Sequence, residues 1–130
     1  MKTNHSQGSG ATVTVGADER IMTTVPIQGA SASGVRQLSG PTFLIAGGED
    51  MVVSASSIES AFEAATVPAA FGVSLGHDHV MPVMMPEPIL EAVTAWFRIH
   101  LADDAVARPL FYDGCALCSD ATWRMETANL

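Results

Sequence analysis

The pentapeptide Asn4-His5-Ser6-Gln7-Gly8 lies near the beginning of a chain of 130 residues and carries the strongest indication of its fold. A serine with glycines two positions before and after it is typical of a sharp turn between a strand and a helix, which exposes the serine hydroxyl. Asn4 stands where the first glycine is usual, and asparagine tolerates a positive φ better than most residues. The stretch therefore predicts a strand-turn-helix unit with Ser6 at its apex.

The next segments alternate between helix and strand character. Small and β-branched residues at 10–15 predict the helix after the turn, which residues 16–18 (GAD) end. IMTTVPI at residues 21–27 predicts a strand interrupted at Pro26, because proline is tolerated at strand ends or edges and not centrally. Residues 28–40, rich in Gly, Ser and Ala, are expected to form a loop.

Two apolar runs predict buried strands. PTFLIA at residues 41–46 is an unbroken apolar run between Gly-Pro and Gly-Gly, which favours a buried parallel strand. The sequence AAFGVSL at residues 69–75 predicts a second buried strand. Between them, Ser56 and Glu59 form a capping-box pattern, which predicts a helix from Ser56 to about Ala65.

The last third of the chain begins with a loop at residues 76–85, rich in Met and Pro. A long helix is expected from Glu87-Pro88, because apolar residues then recur at helical spacing and proline suits a first helical turn. Residues 102–130 are expected to be a tail with an aromatic anchor at Phe111-Tyr112. Strands separated by helices predict the α/β class, with a partial parallel sheet flanked by helices in one domain over residues 1–130.

Three of the predicted strands are followed by residues that carry chemistry. Ser6 follows the first, Asp50 a later one, and His77 or His79 the last. A serine becomes a nucleophile when a histidine takes its proton, and a carboxylate holds that histidine in the correct tautomer. Taken singly, each residue is ordinary for a loop. Because loops at the carboxyl ends of parallel strands lie at one sheet edge, their order along the chain indicates a joint site.

Several segments resemble the carboxyl-terminal half of bacterial cutinase-like polyesterases and related α/β-hydrolases of the dienelactone-hydrolase type. These segments are HSQGSGATVTVGADERI, PTFLIAGGEDMVV, GHDHVMP, VTAWFRIHL and FYDGCALCSD, and together they cover most of the chain. The resemblance implies a truncated α/β-hydrolase fold that runs from the nucleophile turn to the carboxyl terminus. It also implies a serine ester hydrolase that works through an acyl-enzyme, with small esters or polyester fragments as substrates and no cofactor.

The resemblance also implies roles for single residues. Ser6 matches the nucleophile, and Gln7 matches the residue whose backbone N–H forms half of the oxyanion hole. Asp50 matches the acid, with Glu49 as the alternative. His79 matches the base because an apolar residue and then a proline follow it.

Two further histidines lie close in sequence to the proposed nucleophile and base. His77 is the alternative base, two residues before His79. His5 precedes the nucleophile and is expected to pack without reacting.

Cys115 and Cys118 form a C-x-x-C pair outside the predicted site. A local disulfide or two plain thiols are the ordinary interpretations. A redox pair normally opens a helix after a strand, which these residues do not do. A zinc site needs two more ligands, for which His77 and His79 are the candidates, and we expect no metal.

The charge and hydropathy of the chain bear on its partners. A net charge of −8 without a basic patch argues against nucleic acid and against an anionic membrane. No apolar run reaches the ~18 residues of a membrane span, and no signal peptide is recognisable. From the sequence we expect a cytoplasmic protein.

Compared with the family it resembles, the chain lacks the strands before the nucleophile and the loop that supplies the second oxyanion N–H. The lost strands leave an exposed sheet edge at residues 21–27 or at the short stub before them, and exposed edges recruit partners. We therefore expect a homo-oligomer that pairs through such an edge or covers the apolar surface that the missing half would cover. The alternative to the esterase is a non-catalytic remnant or interaction module that retains the half-fold.

Overall fold

Helices and strands alternate along the computed structural model, which describes residues 5–80 and 84–130. The elements in this part are α1 (His5–Val15), α2 (Ala32–Val35), β1 (Thr42–Gly47), α3 (Ala55–Glu63), β2 (Ala69–Ser74), α4 (Glu87–Ala102) and β3 (Trp123–Ala128). Two short 3-10 helices precede β3, at Arg108–Leu110 and Ala116–Ser119. The α/β class expected from the sequence is confirmed.

The strands form a sheet in the order β1-β2-β3. β1 and β2 are parallel, with Thr42 opposite Ala69, whereas β3 runs antiparallel to β2, with Ala128 opposite Ala69. Residues 21–27 lie along the other side of β1 and pair with it in parallel at two isolated bridges, Thr24 to Thr42 and Ile27 to Ile45. The sheet is therefore mixed, and the expectation of a parallel sheet is wrong for its last strand.

Alternate side chains of β1 enter separate cores on the two faces of the sheet. Phe43 and Ile45 pack in the core that contains Trp96 of α4. Leu44 and Ala46 pack in the other core, which α3 and α1 cover. Every residue of β1 and β2 is buried, as expected for parallel strands covered by helices on both sides.

The segments between the strands differ from the sequence predictions in two places. Residues 21–27 form two bridges and no continuous strand, which fits Pro26, because proline has no N–H to donate to a ladder. The expected loop at residues 28–40 contains α2, whose first turn is capped by the Ser31 side chain accepting from Gly34 N.

The predicted helix cap at Ser56 is wrong. Ser54 occupies the cap position with extended backbone angles, and its hydroxyl accepts a hydrogen bond from Ser57 N at 3.3 Å. The helix accordingly begins at Ala55 and ends at Glu63, earlier than predicted. Three serines lie within four positions here, so composition alone did not distinguish the cap among them.

The predicted tail at residues 102–130 is an integral part of the fold. Its last segment, β3, adds a strand to the sheet, and Phe111 and Trp123 are buried in the core beneath α4. Phe43 contacts both rings, with centroid distances of 5.0 Å to Phe111 and 6.1 Å to Trp123. The aromatic anchor expected at Phe111 is therefore present, but in a segment that completes the domain.

Parts of two predictions lie outside the described residues. The strand expected to lead into the serine turn falls on residues 1–4, which include Asn4. Residues 81–83 of the loop predicted at 76–85 also fall outside.

Candidate functional site

Asp50 follows the carboxyl end of β1 and is held by backbone amides. Its Oδ1 accepts hydrogen bonds from Val52 N at 2.8 Å and from Val53 N at 2.9 Å. These contacts close a tight turn between β1 and α3. They fix one carboxylate oxygen and direct the other, Oδ2, along the sheet edge.

Asp50 Oδ2 lies 2.7 Å from Nδ1 of His79. The Asp50 side chain is 0% exposed and that of His79 12%, so water is largely excluded from the contact. Burial works against ionisation of Asp50. The hydrogen bonds from His79 and from the Val53 and Val52 amides outweigh that effect and hold the pKa of this carboxyl below its usual range.

His79 belongs to the loop after β2, residues 75–80, which we call the histidine loop. Gly76 takes a positive φ of 79° at its sharpest point. The loop crosses to the end of β1, where the Glu49 N–H donates to the His77 carbonyl at 2.8 Å. Asp50 and His79 are thereby brought together from two neighbouring strands.

His77, the alternative base, makes a different contact. Its Nδ1 is hydrogen-bonded to the hydroxyl of Ser74, the last residue of β2. Ser74 is 1% exposed, so this serine–histidine pair is closed to a substrate. Glu49, the alternative acid, is exposed and contributes its backbone N–H to the loop. The residue that the structure places on Asp50 is His79.

Gln28 is a residue of the site that the sequence analysis missed. It directly follows residues 21–27, is 0% exposed, and its Nε2 donates to the Asp78 carbonyl at 2.5 Å. The available signal was its position at the carboxyl end of a predicted strand. Gly47, at the end of β1, is the second such residue, because a Cβ there would lie 2.7 Å from the His77 carbonyl oxygen.

The backbone of Ser6 and Gln7 lies in the first turn of α1, and the side chains of residues 5–8, including His5, are outside the described part. One turn further along, the hydroxyl of Ser9 donates to the Ile27 carbonyl. Ile27 precedes Gln28, which contacts Asp78. The beginning of α1 is therefore linked by consecutive contacts to the histidine loop.

A cavity of about 230 Å³ opens beside His79. Its lining comprises Glu49, Met51, Val52, Asp78, His79 and Val80. Met51 is 95% exposed and Val52 and Val80 are also exposed, so the wall next to the imidazole is mostly apolar.

The Asp50–His79 pair has the arrangement of a general base with its orienting acid. A carboxylate on Nδ1 selects the tautomer in which Nε2 carries the lone pair, and it stabilises the imidazolium that forms when Nε2 takes a proton. The arrangement is suited to taking a proton from a hydroxyl or from water.

Cys115 and Cys118 form a disulfide, the first of the ordinary interpretations of this pair. Both sulfurs are consumed by this bond, so neither is a thiolate ligand. Within residues 5–80 and 84–130, no three His, Cys, Asp or Glu side chains are grouped to hold a metal ion. The same residues include no helix with the length and apolar character needed to cross a bilayer.

The fold and the site thus define an α/β protein with a buried carboxylate–histidine pair at the edge of its sheet. No known family model matches the chain, and no curated protein matches it either.

Proposed function

We propose that the chain is a serine ester hydrolase in which Ser6 is the nucleophile, His79 the general base and Asp50 the orienting acid. The observation that carries the proposal is the 2.7 Å contact between Asp50 Oδ2 and His79 Nδ1, with the carboxylate fully buried. Burying a carboxylate against a histidine carries a free-energy penalty for desolvation. Such pairs are typical of sites where the histidine acts as a base.

The proposed reaction proceeds in two halves. Ser6 Oγ attacks the ester carbonyl carbon while His79 Nε2 takes its proton, and the carbonyl electrons move onto oxygen. The Gln7 N–H, in the first turn of α1, stabilises that oxyanion, because first-turn amides have no acceptor within their own helix. His79 then gives its proton to the leaving alkoxide. A water molecule repeats the sequence on the acyl-serine and releases the acid.

The position of α1 supports Ser6 as the nucleophile. Ser6 is in the first turn of this helix, and Ser9, one turn later, bonds to the Ile27 carbonyl at the carboxyl end of residues 21–27. The same end of the sheet carries Asp50 and His79. Loops at this end are where α/β proteins assemble their reactive groups.

The apolar cavity beside His79 favours esters with short-chain acyl or aromatic groups, including fragments of polyesters. Met51, Val52 and Val80 offer an apolar surface, and the two acidic residues of the lining, Glu49 and Asp78, disfavour an anionic substrate. The proposed chemistry uses only protein groups and needs no cofactor.

The test is turnover of p-nitrophenyl butyrate by the wild type, Ser6→Ala and His79→Ala. We expect both variants to lose activity by about 10⁶-fold, the scale seen when the serine or the histidine of a triad is removed. His77→Ala is the matched control, because it removes a histidine of the same loop that does not contact Asp50. Its activity should fall far less than that of His79→Ala, because it loses the contact with Ser74 and keeps the Asp50–His79 pair.

A fluorophosphonate probe identifies the nucleophile independently of turnover. We expect mass spectrometry to find the label on Ser6 in the wild type and none in His79→Ala. Full activity in Ser6→Ala would refute the esterase. A wild type that neither turns over the ester nor takes the label supports the non-catalytic interaction module.

We further propose that the chain pairs with a second copy through residues 21–27. Thr24 and Gln28 direct their N–H groups to β1, so Val25, between them, turns its backbone groups to the other side. Within the described residues, no strand lies on that side. Sedimentation at micromolar concentration should find a dimer or larger species, and a compact monomer would contradict this proposal.

The disulfide bears on the compartment. Cys115 and Cys118 are joined by a disulfide. Disulfides persist where the environment is oxidising and are rare in the cytoplasm. The disulfide therefore favours an oxidising compartment over the cytoplasmic location expected from the sequence.

A further inference from the structure

We propose that Gln28 is a positioning residue that fixes the histidine loop so that His79 stays on Asp50. This inference rests on the proposed function in that His79 is taken as the base. The geometry itself is independent of it. Gln28 acts through the backbone and not on the reacting atoms, since its side chain is buried and its Nε2 bonds to a backbone carbonyl.

The hydrogen bond from Gln28 acts on the peptide that carries His79. Gln28 Nε2 donates to the carbonyl of Asp78 at 2.5 Å, and this carbonyl belongs to the peptide bond joining Asp78 to His79. Because the atoms of a peptide group are coplanar, holding its oxygen also restricts the position of the His79 Cα, which lies in the same plane. The imidazole is thereby aimed at the carboxylate of Asp50.

Within the loop, the Val80 N–H donates to Asp78 Oδ1 at 2.9 Å, which shapes the turn around His79 without joining it to the rest of the fold. Two ties from outside the loop act further from the imidazole than the bond from Gln28. The Glu49 N–H holds the carbonyl of His77, and the Ser74 hydroxyl holds the ring of His77. Both secure the loop two residues before His79. Gln28 secures the adjacent residue, so its bond has the greater control over where the His79 ring lies.

The backbone conformation and the side-chain environment of Gln28 both reduce the stability of the fold. It takes a positive φ of 60°, which is uncommon for a long side chain. Its Oε1 is buried and has no hydrogen-bond partner among the described residues. An unsatisfied buried acceptor and an unfavourable φ destabilise a fold, and both are typical of positions kept for a site.

Gly47 provides the space in which this contact is made. A Cβ at Gly47 would lie 2.8 Å from the Asp78 carbonyl oxygen and 3.0 Å from Gln28 Nε2. The bare backbone at the end of β1 lets the amide of Gln28 and the carbonyl of Asp78 meet. The hydrogen bond from Gln28 to Asp78 therefore depends on glycine at position 47.

The test uses Gln28→Met, which keeps the length of the side chain and removes the donor. The readout is the low-field proton resonance of His79 Nδ1–H, identified by its loss in His79→Ala. We expect this proton to exchange with water about tenfold faster in Gln28→Met, the scale of one lost hydrogen bond. For p-nitrophenyl butyrate, kcat should fall by about the same factor with KM unchanged.

Gln28→Asn is the second variant, in case Gln28→Met does not fold. Asparagine accepts the positive φ more readily, and its amide is one methylene too short to reach Asp78. Thr24→Val is the matched control. Thr24 lies in the segment that precedes Gln28, and the variant removes its buried hydroxyl, which donates to the Thr42 hydroxyl of β1. Its His79 resonance should match that of the wild type.

The outcomes separate this inference from the esterase. If the His79 proton exchanges at the wild-type rate in both Gln28 variants, the positioning role is wrong. It is equally wrong if Thr24→Val accelerates the exchange to the same degree. If the wild type has no ester turnover but the His79 proton responds to Gln28 alone, the esterase fails and the positioning role stands.

Discussion

The indole Nε1–H of Trp96 donates a hydrogen bond to the hydroxyl of Thr23 at 2.9 Å. The same hydroxyl donates to the carbonyl of Pro41 at 2.6 Å. Trp96 is fully buried in α4, whereas Thr23 lies on the segment at the edge of the sheet. One side chain therefore joins α4, residues 21–27 and the beginning of β1.

Replacing Thr23 by valine should destabilise the fold by about 1–3 kcal/mol, because it leaves the buried Trp96 N–H without its acceptor. The Pro41 carbonyl keeps its hydrogen bond from the Thr24 N–H. Urea unfolding followed by tryptophan fluorescence measures the change. Thr14→Val is the matched control, because the Thr14 hydroxyl is exposed and bonds only within α1. Its effect should stay within about 0.5 kcal/mol. Equal stability of the two variants would contradict the bridging role of Thr23.

Replacing Gly47 by alanine should displace the histidine loop. The added methyl group would lie 2.7 Å from the His77 carbonyl oxygen and 2.8 Å from that of Asp78, and backbone atoms cannot move aside cheaply. We expect a loss of stability of about 1–3 kcal/mol and weaker protection of the His79 Nδ1–H proton from exchange.

Gly48→Ala is the control for this change. A Cβ at Gly48 has its nearest neighbours at 3.5 Å, an ordinary contact distance. Thermal unfolding and the His79 resonance of Gly48→Ala should therefore match those of the wild type. A Gly47→Ala variant as stable as Gly48→Ala would show that the loop has more room than the structure gives it.

The sequence predicted β1 and β2 well because both are short apolar runs bounded by breakers. It did not predict β3, where Trp123 and Met125 face the core while Arg124 and Glu126 face outward. This alternation is a strand signal, but it spans only six residues in a stretch interrupted by turns. Pairing with β2, which is distant in sequence, stabilises it.

The site was predictable in part. Asp50 and His79 were chosen because each follows a predicted strand, and parallel strands bring their carboxyl ends together. Gln28 was not predicted as a site residue. It stands in a glycine-rich stretch, and no local pattern there indicates a hydrogen bond to a carbonyl 50 positions later. Such long-range contacts depend on how the strands pair, which a local pattern does not specify.

The ionisation of Asp50 should make the fold sensitive to acid. The pKa of Asp50 lies below its ordinary value of 3.8, because its hydrogen bonds outweigh the opposing effect of burial. The stability that these bonds provide is complete above the ordinary pKa, and it is lost as pH falls through the lower pKa of the folded state. Asp50→Asn removes this titration.

The measurement is urea unfolding of the wild type and of Asp50→Asn at a series of pH values, from neutral down to the range in which carboxylates become protonated. We expect the wild type to be more stable at neutral pH and its advantage to shrink as pH falls. Comparing the two removes the contribution of other titrating carboxylates, such as those of Asp18 and Asp120. An advantage that stays constant down to that range would mean that Asp50 has no lowered pKa.

Glu126 presents the opposite case, on the outward face of β3. Burial, a hydrogen bond shared with the Glu59 carboxyl and the charge of Glu59 raise the pKa of Glu126 above its ordinary value of 4.5. Arg124 lies 3.6 Å from Glu59 and 3.5 Å from Glu126, and its charge only partly opposes this effect. The folded protein therefore binds the proton of Glu126 more tightly than the unfolded chain does.

A raised carboxyl pKa means that stability increases as pH falls through the pKa of the folded state and decreases as pH rises through it. Glu126→Gln, which mimics the protonated form, should therefore unfold at a higher temperature than the wild type at pH 7. The difference should vanish at pH values below 4.5, where both carry a neutral group. Glu91→Gln, at an exposed position of α4, removes the same unit of negative charge from a chain of net charge −8 and serves as the control. If it raises the unfolding temperature as much as Glu126→Gln, the gain comes from net charge and not from the Glu59–Glu126 pair.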